Sequence, residues 1–341
     1  MIYKIILVGR LEFGSEKTFN KALQMYHFRI ENFYKNDLLI KEDVLDAENF
    51  YLNVPRIVCH SDDKNWNNTI KLLEYLSQFA VAGAFMMWKI DESGDKKKVS
   101  QVIIEPKTDK AAVQQFLKGR ELTEKKGKEN EAMEALNRAI EKYEKHALAY
   151  ERRGYVNLQL RNFKDANYDF TKSIALNPNN SDPHFGRALV NLHNKDYENA
   201  VADFDEAIKN SIPLQPLYWK ARRMKGESLM KLEDFENALK EFKFFLARKF
   251  ESSDPNFVYR KSAYNNYGVC LFEIGNHSDA LKAFDSALAC EAGSEMVSNA
   301  EILVNHGLAL HSAGKNGFKK DWKEAAQLGS KHAEELLATL S

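Results

Sequence analysis

Apolar and polar positions follow two different rhythms along this chain. In residues 1–105, short β-rich runs alternate with two stretches of helical spacing. The first run, Ile2 to Leu11, carries Ile, Val and Tyr suited to a half-buried strand. After Gly14-Ser15, apolar residues fall at Phe19, Leu23, Tyr26, Ile30 and Phe33, the i, i+4, i+7, i+11 spacing of one helix face. Residues 38–52 and 54–60 read as two further strands, with Pro55 tolerated near the start of the second. Trp66, Ile70, Leu73 and Leu76 mark a second helix. Ala84–Ile90 is a strand, Asp91–Asp95 a turn, and Val99–Ile104 a last strand.

The order β-α-β-β-α-β-β is the split βαβ pattern with one extra hairpin strand. It predicts a ferredoxin-like α/β sandwich, an antiparallel sheet with two helices on one face. Pro106 closes this domain, residues 1–105, and the polar stretch Lys107–Lys110 is the expected linker.

From residue 111 the rhythm is helical throughout, and a unit recurs: Gly or Ala, then Ala twelve residues on, then an aromatic four residues later. It reads Gly154, Ala166, Phe170; Ala188, Ala200, Phe204; Gly226, Ala238, Phe242; and Gly268, Ala280, Phe284. The first two units are offset by 34 residues, since 188 − 154 and 200 − 166 both give that value. A fixed period of this size predicts stacked helical hairpins, whose small residues let helices approach closely.

The unit Tyr150, Arg153-Gly154, Asn157, Phe163, Ala166, Phe170, Ser173, Pro178 resembles a tetratricopeptide repeat, although Arg153 and Asn157 stand where Leu and Tyr are usual. The unit through Tyr264, Tyr267-Gly268, Leu271, Ala280, Phe284 and Ala287 fits best. A degenerate first unit holds Gly119, Ala132 and Leu136, and a sixth, one residue short, holds Gly307, Trp322 and Ala325. The resemblance spans residues 111–329 and implies about six hairpins in a right-handed superhelix, closed by a terminal helix from Ser330 to Leu340. With the sandwich, the fold class is α+β, with domains at 1–105 and 111–341. The period lengthens between Ala200, Ala238 and Ala280, which places extra residues around Ile212–Pro216 and Ser252–Pro255. Proline at both places predicts loops or lengthened helix ends.

The family lines its concave groove with the first helix of each hairpin. The resemblance implies a peptide-binding face built from Arg152, Tyr155, Phe185, Lys220, Arg223, Asn265, Asn266 and Asn305. Asn bonds a peptide backbone in both directions, and Arg forks onto carboxylates. Family members that grip chaperone tails use Lys and Asn, then Asn, then Lys and Arg in successive repeats. Here Arg120 replaces the first Asn and that succession is missing.

Composition narrows the chemistry. Of 341 residues, 44% are hydrophobic, and 49 basic residues balance 49 acidic ones. A neutral chain lacks the charge expected for non-specific nucleic-acid or anionic-membrane binding. Cys59, Cys270 and Cys290 are too few and scattered for a disulfide framework or a zinc site. His184, His193, His306 and His311 sit in helical stretches without a hydrolase or zincin motif. His60 with Asp62 and Asp63 reads as a loop capping the second helix rather than a metal site. The apolar run Ile5–Val8 is too short for a signal peptide, and no stretch is long enough for a membrane span.

The expectation is a cytoplasmic, non-enzymatic adaptor that holds a protein or peptide segment, without cofactor or metal. The alternative makes residues 1–105 a small-molecule or enzymatic module whose partner the repeats recruit. An RNA-binding sheet is a third possibility, but no strand carries the basic-Gly-aromatic pattern of such sheets.

Overall fold

A computed structural model describes residues 1–35, 37–93, 98–290 and 296–339. The chain divides into two compact units, Met1–Asn179 and Asn180–Ser341. The boundary expected at 105–111 falls inside the first.

The first unit opens with a five-stranded antiparallel sheet in the order β2-β3-β1-β4-β5: β1 Tyr3–Glu12, β2 Leu45–Asp46, β3 Tyr51–Ser61, β4 Ala82–Asp91 and β5 Lys98–Ile104. Two helices, α1 (Glu16–Arg29) and α2 (Asp63–Ser77), connect the strands. Alternation along β1 sends Ile5, Leu7 and Leu11 toward these helices. There they join Leu52, Val54, Phe85 and Met87 in one core with Phe19, Tyr26, Leu72 and Leu76. This is the split βαβ sandwich with β5 as the extra edge strand. Asp62 caps α2, its Oδ1 accepting from Asn65 N at 2.9 Å, while Asp63 bonds Lys89 at 2.6 Å. The capping reading of that cluster therefore describes it. Among the described residues no group of three metal-ligating side chains converges.

The strand expected over 38–52 is a correction. Within it only Leu45–Asp46 forms a separate strand, with Tyr51 and Leu52 already opening β3, because the segment before β2 leaves the sheet for α2. Leu39 N donates to Thr69 Oγ1 at 2.9 Å, and Asn68 Nδ2 donates to the Asp37 carbonyl at 3.1 Å. After the two-residue strand, Asp46 accepts from the backbone N–H of Glu48 and Asn49, both at 3.0 Å, and turns the chain. Part of the expected turn Asp91–Asp95, namely Gly94 and Asp95, lies outside the described residues.

Paired antiparallel helices follow. The first unit holds α3 (Ala111–Thr123) with α4 (Glu129–Lys142), and α5 (Ala147–Gln159) with α6 (Phe163–Leu176). The second holds α7 (Ser181–His193) with α8 (Tyr197–Asn210), α9 (Pro216–Lys231) with α10 (Phe235–Ala247), α11 (Arg260–Glu273) with α12 (His277–Leu288), and α13 (Asn299–Ser312) with α14 (Phe318–Gln327). A terminal helix, α15 (Lys331–Ala338), buries Ala333 and leaves Lys331, Glu334 and Glu335 exposed.

Within each hairpin the recurrent small residue lies against the recurrent aromatic ring. A Cβ added to Gly154 would meet Phe170 at 2.8 Å, and one added to Gly268 would meet Phe284 at 2.6 Å. Gly307 meets Trp322 and Gly119 meets Leu136 in the same way, so the short sixth and degenerate first units keep the contact. Ala166, Ala200, Ala238 and Ala280 are wholly buried.

The residues that depart from the family pattern have a structural reason. Arg153 forks onto Asp169 (2.6 and 3.0 Å), and Asn157 Nδ2 donates to the same carboxylate at 3.0 Å. One repeat later Arg187 forks onto Asp203 (2.7 and 2.9 Å), with Asn191 donating at 3.0 Å. An Arg–Asn–Asp triad around a buried carboxylate, its arginine half-buried, thus replaces apolar packing between the two helices of a hairpin. Burial alone raises the Asp203 carboxyl, but His184 beside it at 3.8 Å, with the Arg187 fork and charge, outweighs it and holds the group below its ordinary value. At Asp169 burial prevails over Arg153 and the carboxyl is raised.

Two measurements test this packing. A Cβ at Gly268 would stand 2.6 Å from the Phe284 ring, so Gly268→Ala should already destabilise the hairpin, and Gly268→Leu should cost more, about 1–3 kcal/mol, by overpacking Phe284. Equal denaturation midpoints for the leucine variant and the parent would refute the contact. Asp203 titrates lower when folded, so its stabilisation is present above the unfolded value of about 3.9 and is lost as pH falls through the lower folded value. Asp203→Asn should therefore cost roughly 1.5–3 kcal/mol at neutral pH, and the gap should close in acid. A gap independent of pH would show that the ion pair contributes nothing.

Candidate peptide-binding face

In the second unit the first helices of successive hairpins, α7, α9, α11 and α13, touch one another in order and form a continuous face. Six of the eight expected residues belong to it. Phe185 on α7 is buried, and the Lys220 ammonium of α9 stands 4.9 Å from its ring centre. Arg223, one turn along α9, is 7% exposed, pairs with Glu227 at 2.5 Å and stacks 3.9 Å from the Tyr259 ring. On α11, Asn265 is buried and accepts from Asn305 Nδ2 of α13 at 3.0 Å. Lys261 reaches across the same pair of helices to Asn299 Oδ1 at 2.6 Å. Asn266 stands beside Asn265, half-buried.

These contacts sort the residues by what they have left to offer. Asn265, Asn305 and Lys261 are spent largely on joining one repeat to the next. Arg223 is oriented by Glu227 and Tyr259, yet its Nε finds no acceptor among the described residues. Lys220 is exposed and Asn266 half-buried, and neither side chain has a hydrogen-bond partner among the described residues. Contact with apolar surroundings, with the Arg223 charge nearby, draws the Lys220 ammonium below its ordinary value.

The two lengthened spacings shape this face. The first adds a turn to the start of α9, with Pro216 in its first turn; the second is a loop ending in the 3₁₀ turn Phe257–Tyr259. They pack on one another. Asn256 Nδ2 donates to the Pro216 carbonyl at 3.1 Å, and the Trp219 ring lies edge-on to Phe250 at 5.8 Å. Together they deliver Tyr259 to Arg223, a contact that proline-based reading of the spacers does not reveal.

The remaining expected residues, Arg152 and Tyr155, lie on α5 in the first unit. Arg152 Nε is 3.3 Å from Glu151 Oε1, and Tyr155 meets Phe170 edge-to-face at 5.0 Å. Nearby chemistry in this unit is internal. Arg120 of α3 forks onto Glu105, just past β5, at 2.5 and 3.0 Å, and this hydrogen bonding holds the carboxyl below its usual range. Lys110 Nζ donates to the carbonyls of Phe79 and Ala80. Of the four helical histidines, His306 bonds Asp321 at 2.7 Å, His311 packs on Phe318, and His184 is buried beside Asp203. No described helix is long and apolar enough to cross a membrane.

Comparison with known proteins agrees with the packing. The family model of the tetratricopeptide repeat matches residues 158–214 and 223–295. The protein SGT1 homolog of Bos taurus is 33% identical over 98 residues, 28% of this chain and 29% of its own. Tetratricopeptide repeat protein 6 of Homo sapiens is 26% identical over 180 residues, 51% of this chain and 31% of its own. The chain thus spans about three tenths of the length of these relatives. Among solved structures, YrrB, described as a TPR protein with an unusual peptide-binding site, aligns with TM-score 0.52 and 19% identity over 61% of this chain and 100% of its own. Pseudomonas aeruginosa pilF aligns with TM-score 0.51 and 17% identity over 68% of this chain and 98% of its own. These two likenesses speak to fold. Hairpin register, small-residue packing and the family match agree that residues 158–214 and 223–295 are tetratricopeptide repeats, and the two structural likenesses show the same fold.

Proposed function

We propose that this protein is a non-enzymatic adaptor that holds an extended peptide segment on the face formed by α7, α9, α11 and α13. Tetratricopeptide repeats support a protein–protein interaction role, and the finer reading rests on one observation. On a face where Asn265, Asn305 and Lys261 are tied up between repeats, Lys220 and Asn266 have no hydrogen-bond partner among the described residues. An exposed ammonium offers a charge for a carboxylate, and a free amide both donates to and accepts from a peptide backbone. The neighbouring groups are held by stacking and inter-helix bonds, so binding orders few side chains. YrrB's description as a peptide-binding repeat protein is consistent with this reading.

A second reading, that residues 1–105 also hold a small molecule, draws on a cleft of about 460 Å³ beside α1.

An array of random peptides probed with the full chain tests the first reading. Peptides carrying a carboxylate should be selected. Lys220→Ala with Asn266→Ala should weaken them roughly ten- to a hundredfold, as expected for losing a charge-assisted hydrogen bond of about 1.5–3 kcal/mol. The helical circular-dichroism signal should stay unchanged, because neither side chain has an internal hydrogen bond to lose. Undiminished binding by the double variant would move the site off this face.

A further inference from the structure

The cleft in the N-terminal sandwich has a built shape and a balanced charge. Its apolar floor is Tyr26, Ile30, Leu38 and Ile40. Its rim carries two acids, Glu31 and Glu42, and two bases, Lys35 and Lys41. A volume of about 460 Å³ lies within the range of small-molecule sites.

Both walls are held in place. One is the segment before β2, tied to α2 by the Leu39–Thr69 and Asp37–Asn68 hydrogen bonds and by the Lys64–Asp37 ion pair at 2.6 Å. The other is the end of α1, where Arg29 stacks 3.6 Å from the Tyr75 ring. There the helix widens into a π turn, Ile30–Tyr34, closed by Lys35 N donating to the Ile30 carbonyl at 2.6 Å. Lys35 itself adopts φ +50°, a left-handed conformation unusual for a lysine. π turns and strained non-glycine residues concentrate at functional sites. Across the cleft, His27 Nε2 lies 3.1 Å from Glu42 Oε1. Burial, then the Glu42 and Asp43 charges, push the Tyr26 hydroxyl up to about 12, so it stays protonated at the floor.

An apolar floor beneath a rim with paired charges of both signs selects a ligand of the same pattern. We infer that the cleft binds a free amino acid with an apolar side chain, its carboxylate on Lys35 and Lys41 and its ammonium on Glu31 and Glu42. The inference rests on the second reading above and sharpens it to one ligand class.

Three probes of one shape test it on the full chain by calorimetry and thermal shift: leucine, 4-methylpentanoate (no ammonium) and 3-methylbutylamine (no carboxylate). Leucine should bind and raise Tm with concentration, and each singly charged analogue should bind at least about tenfold more weakly, since one ion contact is lost. Lys41→Gln and Glu31→Gln change exposed rim residues. Each should leave the ligand-free Tm in place and weaken leucine about tenfold, or about 1.4 kcal/mol. If an analogue binds as well as leucine, the amino-acid assignment is overturned while the small-molecule reading stands. If none of the three binds, and none shifts Tm, the amino-acid assignment falls.

Discussion

A helix that presents a bare Cα or a single methyl group to an aromatic ring is the contact on which the helical part of this protein depends. At Gly154, Gly226 and Gly268 the ring of Phe170, Phe242 or Phe284 fills the space a side chain would need. Close approach of the two helices follows, and with it a repeat that stacks through its neighbours. Once that contact sets the register, other positions can change character. Arg153 and Arg187 replace apolar residues because Asp169 and Asp203 lie within reach across the hairpin. At Asp203 the forked Arg187 outweighs the burial cost, whereas at Asp169 burial prevails over Arg153.

The proposed face inherits its geometry from the same stacking. Because α7, α9, α11 and α13 lie side by side, polar groups on one helix meet those of the next. Asn305 bonds Asn265, Lys261 bonds Asn299, and Lys220 leans over Phe185. The irregular spacers contribute too, since Asn256 and Pro216 lock them together and set Tyr259 under Arg223. In the sandwich, the comparable irregularity is the segment that abandons the sheet to bond Thr69 and Asn68, and it becomes a wall of the cleft.

Most of the helical architecture was legible in the sequence because it rests on residues at fixed intervals. The Gly/Ala–Ala–aromatic unit located four hairpins, and its degenerate and short forms at Gly119–Leu136 and Gly307–Trp322 marked the first and sixth. The sheet was legible too, since β-rich runs marked β1, β3, β4 and β5. The segment 38–52 was misread because its apolar residues suit a strand, whereas hydrogen bonds to α2, thirty residues away in the chain, decide its course. Repeat position indicated which residues share the face in the second unit. It did not separate Asn265, buried and bonded to Asn305, from Asn266, left without a partner. Nor did it find the Tyr259 stack or the Arg120–Glu105 fork, which depend on irregular segments.

Hydrogen exchange of the full chain, with and without an array-selected carboxylate peptide, tests the binding face most directly. Bound peptide should slow exchange in α9 (Pro216–Lys231) and α11 (Arg260–Glu273), the helices that carry Lys220, Arg223 and Asn266. Protection confined to residues 1–105, or to α8, α10 and α12 with α9 and α11 unchanged, would contradict the account.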